Sequence, residues 1–354
     1  MKFFLKYLVA VIIILPVPGI YAQNNLSQTL SNLSNDAASA YLVPAVSGFG
    51  ADINSNWFHE IVQPKILGFD LELSFVGMGT FFNDANKTFS ATGLFRFNTS
   101  QAGTLTSSIT NSTYRKGVIN EIITQDLQVG ISGPTVVGSK NQNVVITFPG
   151  KTFVFDNQSF SVPQQNISLT DVKGYLNNLP ILPVATPQLS IGTIVGTSVT
   201  LRYLPSIKLN SDLDNINYYG IGIQHNPAEW LNIPIPFDLS IGLIDQTLKV
   251  GSVLKATGEA ASLNVGKTFG FGLFSISPYA NIAVEKSTID VNYTTTYTTT
   301  TGYENENISF NETGANNASL TLGTNLRLGL VNINVDYSIS KYNTVSAGLG
   351  FVIF

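Results

Sequence analysis

Residues 320–354 read LTLGTNLRLGLVNINVDYSISKYNTVSAGLGFVIF. Leu320, Leu322, Leu326, Leu328 and Leu330 alternate with Thr321, Gly323, Asn325, Arg327 and Gly329, the period-two pattern of a strand with one apolar and one polar face. Val331, Ile333, Val335, Tyr337 and Ile339 then alternate with Asn332, Asn334, Asp336, Ser338 and Ser340. Between these runs the apolar parity flips from even to odd, which an even-length hairpin loop near Leu330 and Val331 requires if both apolar sets share a face. The third run, Val345, Ala347, Leu349, Phe351 and Ile353, keeps the parity, so its loop must be odd. Lys341, Tyr342 and Asn343 supply it, with Asn tolerating the left-handed conformation. Three antiparallel strands thus share a register that the sequence itself checks.

Which face is buried decides the fold class. A soluble sandwich turns its polar face to water and carries charge there, whereas the polar set here is Asn, Ser, Thr and Gly, with only Arg327 and Asp336 charged. A membrane barrel inverts the geometry, setting apolar side chains toward lipid and a polar, small-residue interior. A terminal aromatic, Phe354, suits an outer-membrane barrel, although its parity is opposite to that of Phe351 and Ile353 and needs a bulge or frayed end. The expectation is an all-β protein, an antiparallel transmembrane β-barrel.

Composition agrees. Charged residues make up 11% of the 354-residue chain, against about a quarter in ordinary soluble domains. Mean hydropathy is positive, yet beyond the N-terminus no run is long enough for a spanning helix. The net charge of −4 argues against a nucleic-acid partner. Lys2 and Lys6 precede a short apolar core and small residues up to Ala22, so residues 1–22 read as an export signal cleaved near Ala22 and Gln23. The chain contains no Cys, so neither lipidation at Cys nor disulfides enter the argument.

Residues 23–64 differ in kind. Leu26, Leu30, Leu33, Ala37 and Tyr41 have the spacing of an amphipathic helix. The following residues 42–59, punctuated by Pro44, Gly48 and Gly50, read as irregular. Phe49, Trp57 and Phe58 are too apolar to be left in water, which points to a plug inside a barrel rather than a plain periplasmic extension. Residues 65–354 then form the barrel. Its first strand shows Leu67, Phe69, Leu71, Leu73 and Phe75 on one face and Asp70, Glu72 and Ser74 on the other. Residues 79–183 lose long alternation and read as an extracellular excursion, with a short strand at 89–97 and a hairpin joining 144–148 to 152–156. Residues 287–317 read as a second long polar loop with a Thr-rich tract. Strand markers at Leu67, Leu189, Val199, Ile216, Phe237, Thr257, Ile276, Leu320, Val331 and Val345 give ten strands, rising to fourteen if hairpins of the first loop join the wall. With both termini periplasmic, both long loops fall on the outer side.

These residues resemble a family of uncharacterised Bacteroidota outer-membrane barrels, classed only as a domain of unknown function. The likeness is carried by YLVPAVSGFGADINSNW (41–57), LGFDLELSF (67–75), VATPQLSIGTIVGTSVTLRYLP (184–205), residues 220–230, PFDLSIG (236–242) and DYSISKYNTVSAGLGF (336–351). It implies a barrel in the outer membrane of a Gram-negative bacterium and names no substrate. The chain is more distantly similar to the long-chain fatty-acid transporter type of barrel. That family's Asn-Pro-Ala signature sits in its hatch, while Asn226, Pro227 and Ala228 here lie between strands, so no ligand residue is carried over.

Chemistry motifs are sparse. His59 and His225 are the only histidines, and neither has a partner at metal-ligand spacing, so no metal, no cofactor and no enzymatic activity are expected. His225 near Glu229 could serve a membrane hydrolase or simply cap a turn. Asn98, Asn111, Asn307 and Asn311 begin Asn-x-Ser/Thr triplets that follow from composition. Two functions stay open: a channel or transporter for small, in one version hydrophobic, solutes, and a non-transporting barrel that presents its outer loops. The expected partners are outer-membrane lipid and a small-molecule solute. Asp70, Glu72, Arg202, Arg327 and Asp336 are the candidate lumen residues, and Phe49 and Trp57 the candidate plug residues.

Overall fold

The computed structural model describes residues 35–62, 70–169, 172–192, 195–207, 215–228, 236–271, 273–299 and 302–353. The export signal, Phe354, Glu229 and most of the N-terminal amphipathic run lie outside them. The wall is built from β1 (Asp70–Phe81), β8 (Ile181–Gly192), β9 (Thr197–Ile207), β10 (Ile216–His225), β11 (Asp238–Val250), β12 (Leu254–Gly266), β14 (Phe274–Thr299), β16 (Ala318–Leu328), β17 (Val331–Ile339) and β18 (Thr344–Val352). Each pairs antiparallel with its neighbour, β1 pairs with β18, and β12 pairs directly with β14, so the sheet closes into a ten-stranded barrel among the described residues. A short strand, β13 (Phe269–Phe271), pairs alongside β14.

Alternation sets the two faces. On β18, Thr344, Ser346, Gly348, Gly350 and Val352 are buried, while Leu349 and Phe351 are 51% and 55% exposed. Val335, Ile241 and Leu243 are likewise exposed on neighbouring strands. Apolar side chains outside and Ser, Thr, Asn and Gly inside make this an outer-membrane-type barrel. Among the described residues no helix is long and apolar enough to cross a membrane. Both hairpin parities hold: Leu328 pairs with Val331 across the two-residue turn Gly329 and Leu330, one residue earlier than its expected place, and Ser338 pairs with Thr344 across an odd loop. Gly329 supplies the positive φ, 66°, that such a turn needs.

Residues 82–180 add no strand to the wall, so the count stays at ten rather than fourteen. They fold into a cap. Here β2 (Thr88–Phe95), β3 (Leu127–Pro134), β4 (Val144–Phe148) and β7 (Gln165–Leu169) make a four-stranded sheet, and β5 (Lys151–Phe155) pairs with β6 (Gln158–Val162). The expected pairing of 144–148 with 152–156 does not form, because β4 is taken on both edges by β3 and β7. Asn98 and Asn111 cap the two short helices of the cap, Thr99–Leu105 and Ser112–Ile123, the first accepting from the Gln101 N–H and the second from the Thr113 and Tyr114 N–H groups. Two of the Asn-x-Ser/Thr triplets are therefore helix starts. The expected second polar loop is also corrected: β14 continues to Thr299 and pairs with β15 (Gly302–Thr313) as a long two-stranded ribbon.

The barrel interior is occupied by α1 (Asn35–Asn54) and the irregular residues after it. The helix runs straight through Pro44, Gly48 and Gly50, where irregular chain was expected. Its pattern is hard to read because it is surrounded: Tyr41, Leu42, Val46, Ser47, Ala51, Asp52 and Ile53 are all buried, leaving no solvent face to mark the period. Gly48 and Gly50 serve clearance, since a Cβ on Gly48 would lie 2.8 Å from the Phe82 ring and one on Gly50 against Ser287. At its upper end α1 enters the core of the cap. Val136 N–H donates to the Tyr41 carbonyl (3.0 Å), and the Tyr41 hydroxyl donates to the Lys173 carbonyl (2.9 Å). Burial pushes the Tyr342 hydroxyl up, against hydrogen bonds with Ser47 and Asn86 that pull the other way, so this turn residue keeps its proton beside the cap.

Candidate functional site

The polar face of the wall and the interior segment meet side chain to side chain. Arg202 on β9 is 1% exposed and points inward. Its Nη2 donates to the carbonyls of Ser55 (2.9 Å) and Asn56 (2.6 Å), its Nη1 to that of Ile53 (3.3 Å), and its Nε to Gln188 Oε1 on β8 (2.8 Å). The guanidinium also lies 4.2 Å over the Trp57 ring. One residue therefore gathers three carbonyls at and just beyond the C-terminal end of α1, a task matched to a planar five-donor fork. Trp57 Nε1 donates back to the Ile53 carbonyl (2.9 Å).

Further contacts fix the segment along its length. Thr80 on β1 donates to Asp52 Oδ1 at 2.7 Å. Gln246 on β11 donates to Asn54 Oδ1 at 2.7 Å. Asn56 donates to Asp336 Oδ2 (2.7 Å) and to Asn334 Oδ1 (2.8 Å), while Tyr279 also donates to Asp336 Oδ2 (2.8 Å). His59 Nε2 sits 3.2 Å from Glu72, which also accepts from Asn332 at 3.0 Å. Asn226 donates to the Val62 carbonyl at 2.9 Å, so the Asn-Pro-Ala stretch ties down the end of the segment from between two strands.

The wall is shaped to the segment's apolar groups as well. A Cβ on Gly220 or Gly222 would lie 2.8 Å from the Trp57 ring, and one on Gly242 would lie 2.3 Å from Phe58. Gly242→Ala is therefore expected to cost about 1–3 kcal/mol by overpacking. The measurement is urea unfolding of the refolded barrel; recovery in the double variant with Phe58→Leu would assign the cost to this contact, and no loss would remove it.

Of the candidate lumen residues, Glu72, Arg202 and Asp336 are buried and face the segment. Asp70 stands at the start of β1, paired with Gly192, and Arg327 is half-buried at the turn end of β16, its Nε 3.3 Å from the Gly329 carbonyl. Trp57 joins Arg202, whereas Phe49 packs against the shared apolar core farther up α1 and away from these polar contacts. Sequence reasoning assigned no partner to His59 or role to Asn56, Asp52 and Gln246. The inward parity of Glu72 and Gln246 was a usable signal; the segment's side of each contact was not, since nothing local specifies which strand it meets. His225 Nδ1 is 2.9 Å from Thr197 Oγ1 near the short-turn end. Among the described residues no group of three His, Cys, Asp or Glu could hold a metal ion.

The model of a family of unknown function, DUF6588, matches residues 1–353. A comparison with curated proteins gives no match. Solved structures similar to this chain include the transport unit of the autotransporter AIDA-I from Escherichia coli (8% identity, 93% of this chain and 98% of that one, TM-score 0.26). Others are OmpT, an outer membrane protein of Vibrio cholerae (9%, 80% and 99%, 0.23), and the outer membrane protease OmpT from Escherichia coli (8%, 80% and 96%, 0.26). At these scores the likenesses carry no argument about activity.

Proposed function

This chain belongs to the family of unknown function DUF6588, and we propose that it is a gated barrel of the outer membrane, in which residues 35–62 act as a plug that governs the passage of small solutes. The observation that carries this reading is the fit of wall to segment. A barrel of this size can fill its interior with its own side chains, yet Gly220, Gly222 and Gly242 clear space for Trp57 and Phe58 instead. A wall whose only task was to be stable has no need of that clearance. The ties are also mostly hydrogen bonds between polar groups, which water can replace when the segment shifts. Lipid contacts the apolar band, and the cap and the β14–β15 ribbon face outward, on the side of the long connections.

Removing residues 23–59 behind an intact export signal is expected to raise single-channel conductance in planar bilayers and solute uptake into liposomes. A closed pore in a deletion variant that still folds would instead favour a non-transporting barrel that displays the cap. One observation speaks for that second reading: α1 and the cap share one apolar core, so the segment also supports the displayed unit.

A further inference from the structure

We propose that the barrel displays its amino-terminal side at the cell surface: the chain ahead of α1 lies outside the cell, and residues 35–62 are a stalk that ties it, through the lumen, to the periplasmic start of β1. The inference goes beyond the channel reading and needs no solute to pass. It rests on the direction in which the segment runs. Short turns join β8 to β9 and β16 to β17 at one end of the barrel, while the cap and the β14–β15 ribbon lie at the other, which sets that second end outside. Three wall strands then record the same descent. On β1, Asp52 meets Thr80 near the outer end and His59 meets Glu72 near the periplasmic end, about 26 Å lower along the strand. On β10, Trp57 packs against Gly220 and Gly222, and the Val62 N–H donates to Gln224 Oε1 (3.3 Å) beside the strand's lower end at His225. On β11, Asn54 meets Gln246 and Phe58 meets Gly242, the second pair closer to the periplasmic start of that strand. Above all of these, Ser39 donates to Glu312 on β15, Tyr41 bonds Val136 and Lys173 of the cap, and Ser47 accepts from the Ala315 N–H (3.2 Å). The amino end of α1 is therefore its outer end, which departs from the expectation of two periplasmic termini.

The chain ahead of α1 has no way back through the lumen. The 20 residues of the helix rise about 30 Å, the thickness of a bilayer's hydrocarbon core. Beside its lower end, the cavity next to Asn56, Trp57 and Asp336 has about 40 Å³, room for roughly three water-sized particles and none for a second pass of the backbone. The upper half of α1 is also anchored outside. Tyr41, Leu42 and Val46 are buried in one apolar core with Val129, Val136 and Val172 of the cap. That burial exists only on the outer side, so the folding of the cap supplies the free energy that keeps the segment there. The chain to be carried suits the passage. Residues 23–34, QNNLSQTLSNLS, contain no charged side chain, no Pro and no aromatic ring. They can pass the inward Arg202, Glu72 and Asp336 with no charge of their own to desolvate and no ion pair to break.

The chain contains no Cys, so single thiols report their side of the membrane without background. Asp36→Cys, exposed in the first turn of α1, is the probe. Lys116→Cys, exposed on a cap helix, and Leu330→Cys, exposed in the turn between β16 and β17, mark the two sides. Cells carrying the full chain would be treated with a maleimide on a polyethylene glycol too large to cross the outer membrane, before and after permeabilisation, and only the species that migrates as folded without heating would be scored. On intact cells Asp36→Cys is expected to react at a rate close to that of Lys116→Cys and at least about tenfold faster than Leu330→Cys, which should react only after permeabilisation. A short epitope inserted between Gln23 and Asn24 gives a second readout that leaves every described residue unchanged, and antibody should bind it on intact cells. Reaction of Asp36→Cys only after permeabilisation, alongside Leu330→Cys, would overturn the proposal whichever side Lys116→Cys reports. So would an epitope reached only in permeabilised cells when the protein that carries it is folded.

Discussion

Arg202→Ala is expected to destabilise the folded barrel by about 3–5 kcal/mol, the largest single-residue loss in the molecule. The substitution removes the Arg202 donors from the Ser55 and Asn56 carbonyls and from Gln188 at once, leaves the Ile53 carbonyl with Trp57 alone, and removes the cation that covers Trp57. A buried carbonyl without a partner costs roughly 1–3 kcal/mol. Water entering the space left by the side chain recovers part of that sum, which keeps the expected loss below the full total. Arg202→Lys keeps the charge but neither the fork nor the flat stacking surface, so it should fall between wild type and Ala. Urea unfolding gives the size of the effect, and limited proteolysis within residues 35–62 gives its place. An Arg202→Ala barrel that unfolds like wild type with an equally protected segment would mean that the segment is held elsewhere.

The second large effect concerns the outer face. Leu349 lies in the outward row of β18, flanked across the two neighbouring strands by Phe75 and Ile333, about midway along the apolar band. Leu349→Arg should cost roughly 2–4 kcal/mol in a bilayer, the penalty for a cation facing lipid near the midplane. In detergent micelles the cost should shrink, since the headgroup layer is closer and more deformable. Tolerance of Arg in the bilayer would mean that this face does not meet lipid.

Much of the wall was legible before any coordinates, and for a physical reason. The interior of a barrel is polar and its exterior apolar, so alternation is imposed on every strand, and parity at residues 320–353 reports both register and loop length. Nine of the ten marker positions fall in a wall strand or within one residue of it, and the tenth, Leu67, lies outside the described residues. What the sequence hid was everything whose environment is uniform or borrowed. The α1 helix past Tyr41 has protein on all sides, so Pro44, Gly48 and Gly50 outweighed a period that burial had erased. The cap strands β4 to β7 are five residues long, and β4 takes β3 and β7 as partners while β5 pairs with β6, so the hairpin expected between β4 and β5 was the wrong pairing. The Thr-rich tract of the β14–β15 ribbon carries no apolar row, so no alternation marked it as strand. At the site, Glu72, Arg202 and Asp336 were visible as inward charges, whereas their partners Asn332, Asn56 and Tyr279 are neutral residues that only the closed barrel brings to them.

The central claim, that residues 35–62 occupy the lumen of a barrel seated in the outer membrane, is tested most directly by one crosslink. Asp52 on α1 and Thr80 on β1 touch at 2.7 Å through their side chains, and the chain offers no other thiol. Membranes from cells producing the Asp52→Cys, Thr80→Cys double variant would be fractionated and oxidised, and the gel mobility compared with and without reductant. The account predicts a nearly complete intramolecular crosslink, found in the outer-membrane fraction. Free thiols in a folded, membrane-bound protein, or crosslinked protein recovered from the soluble periplasm, would contradict it.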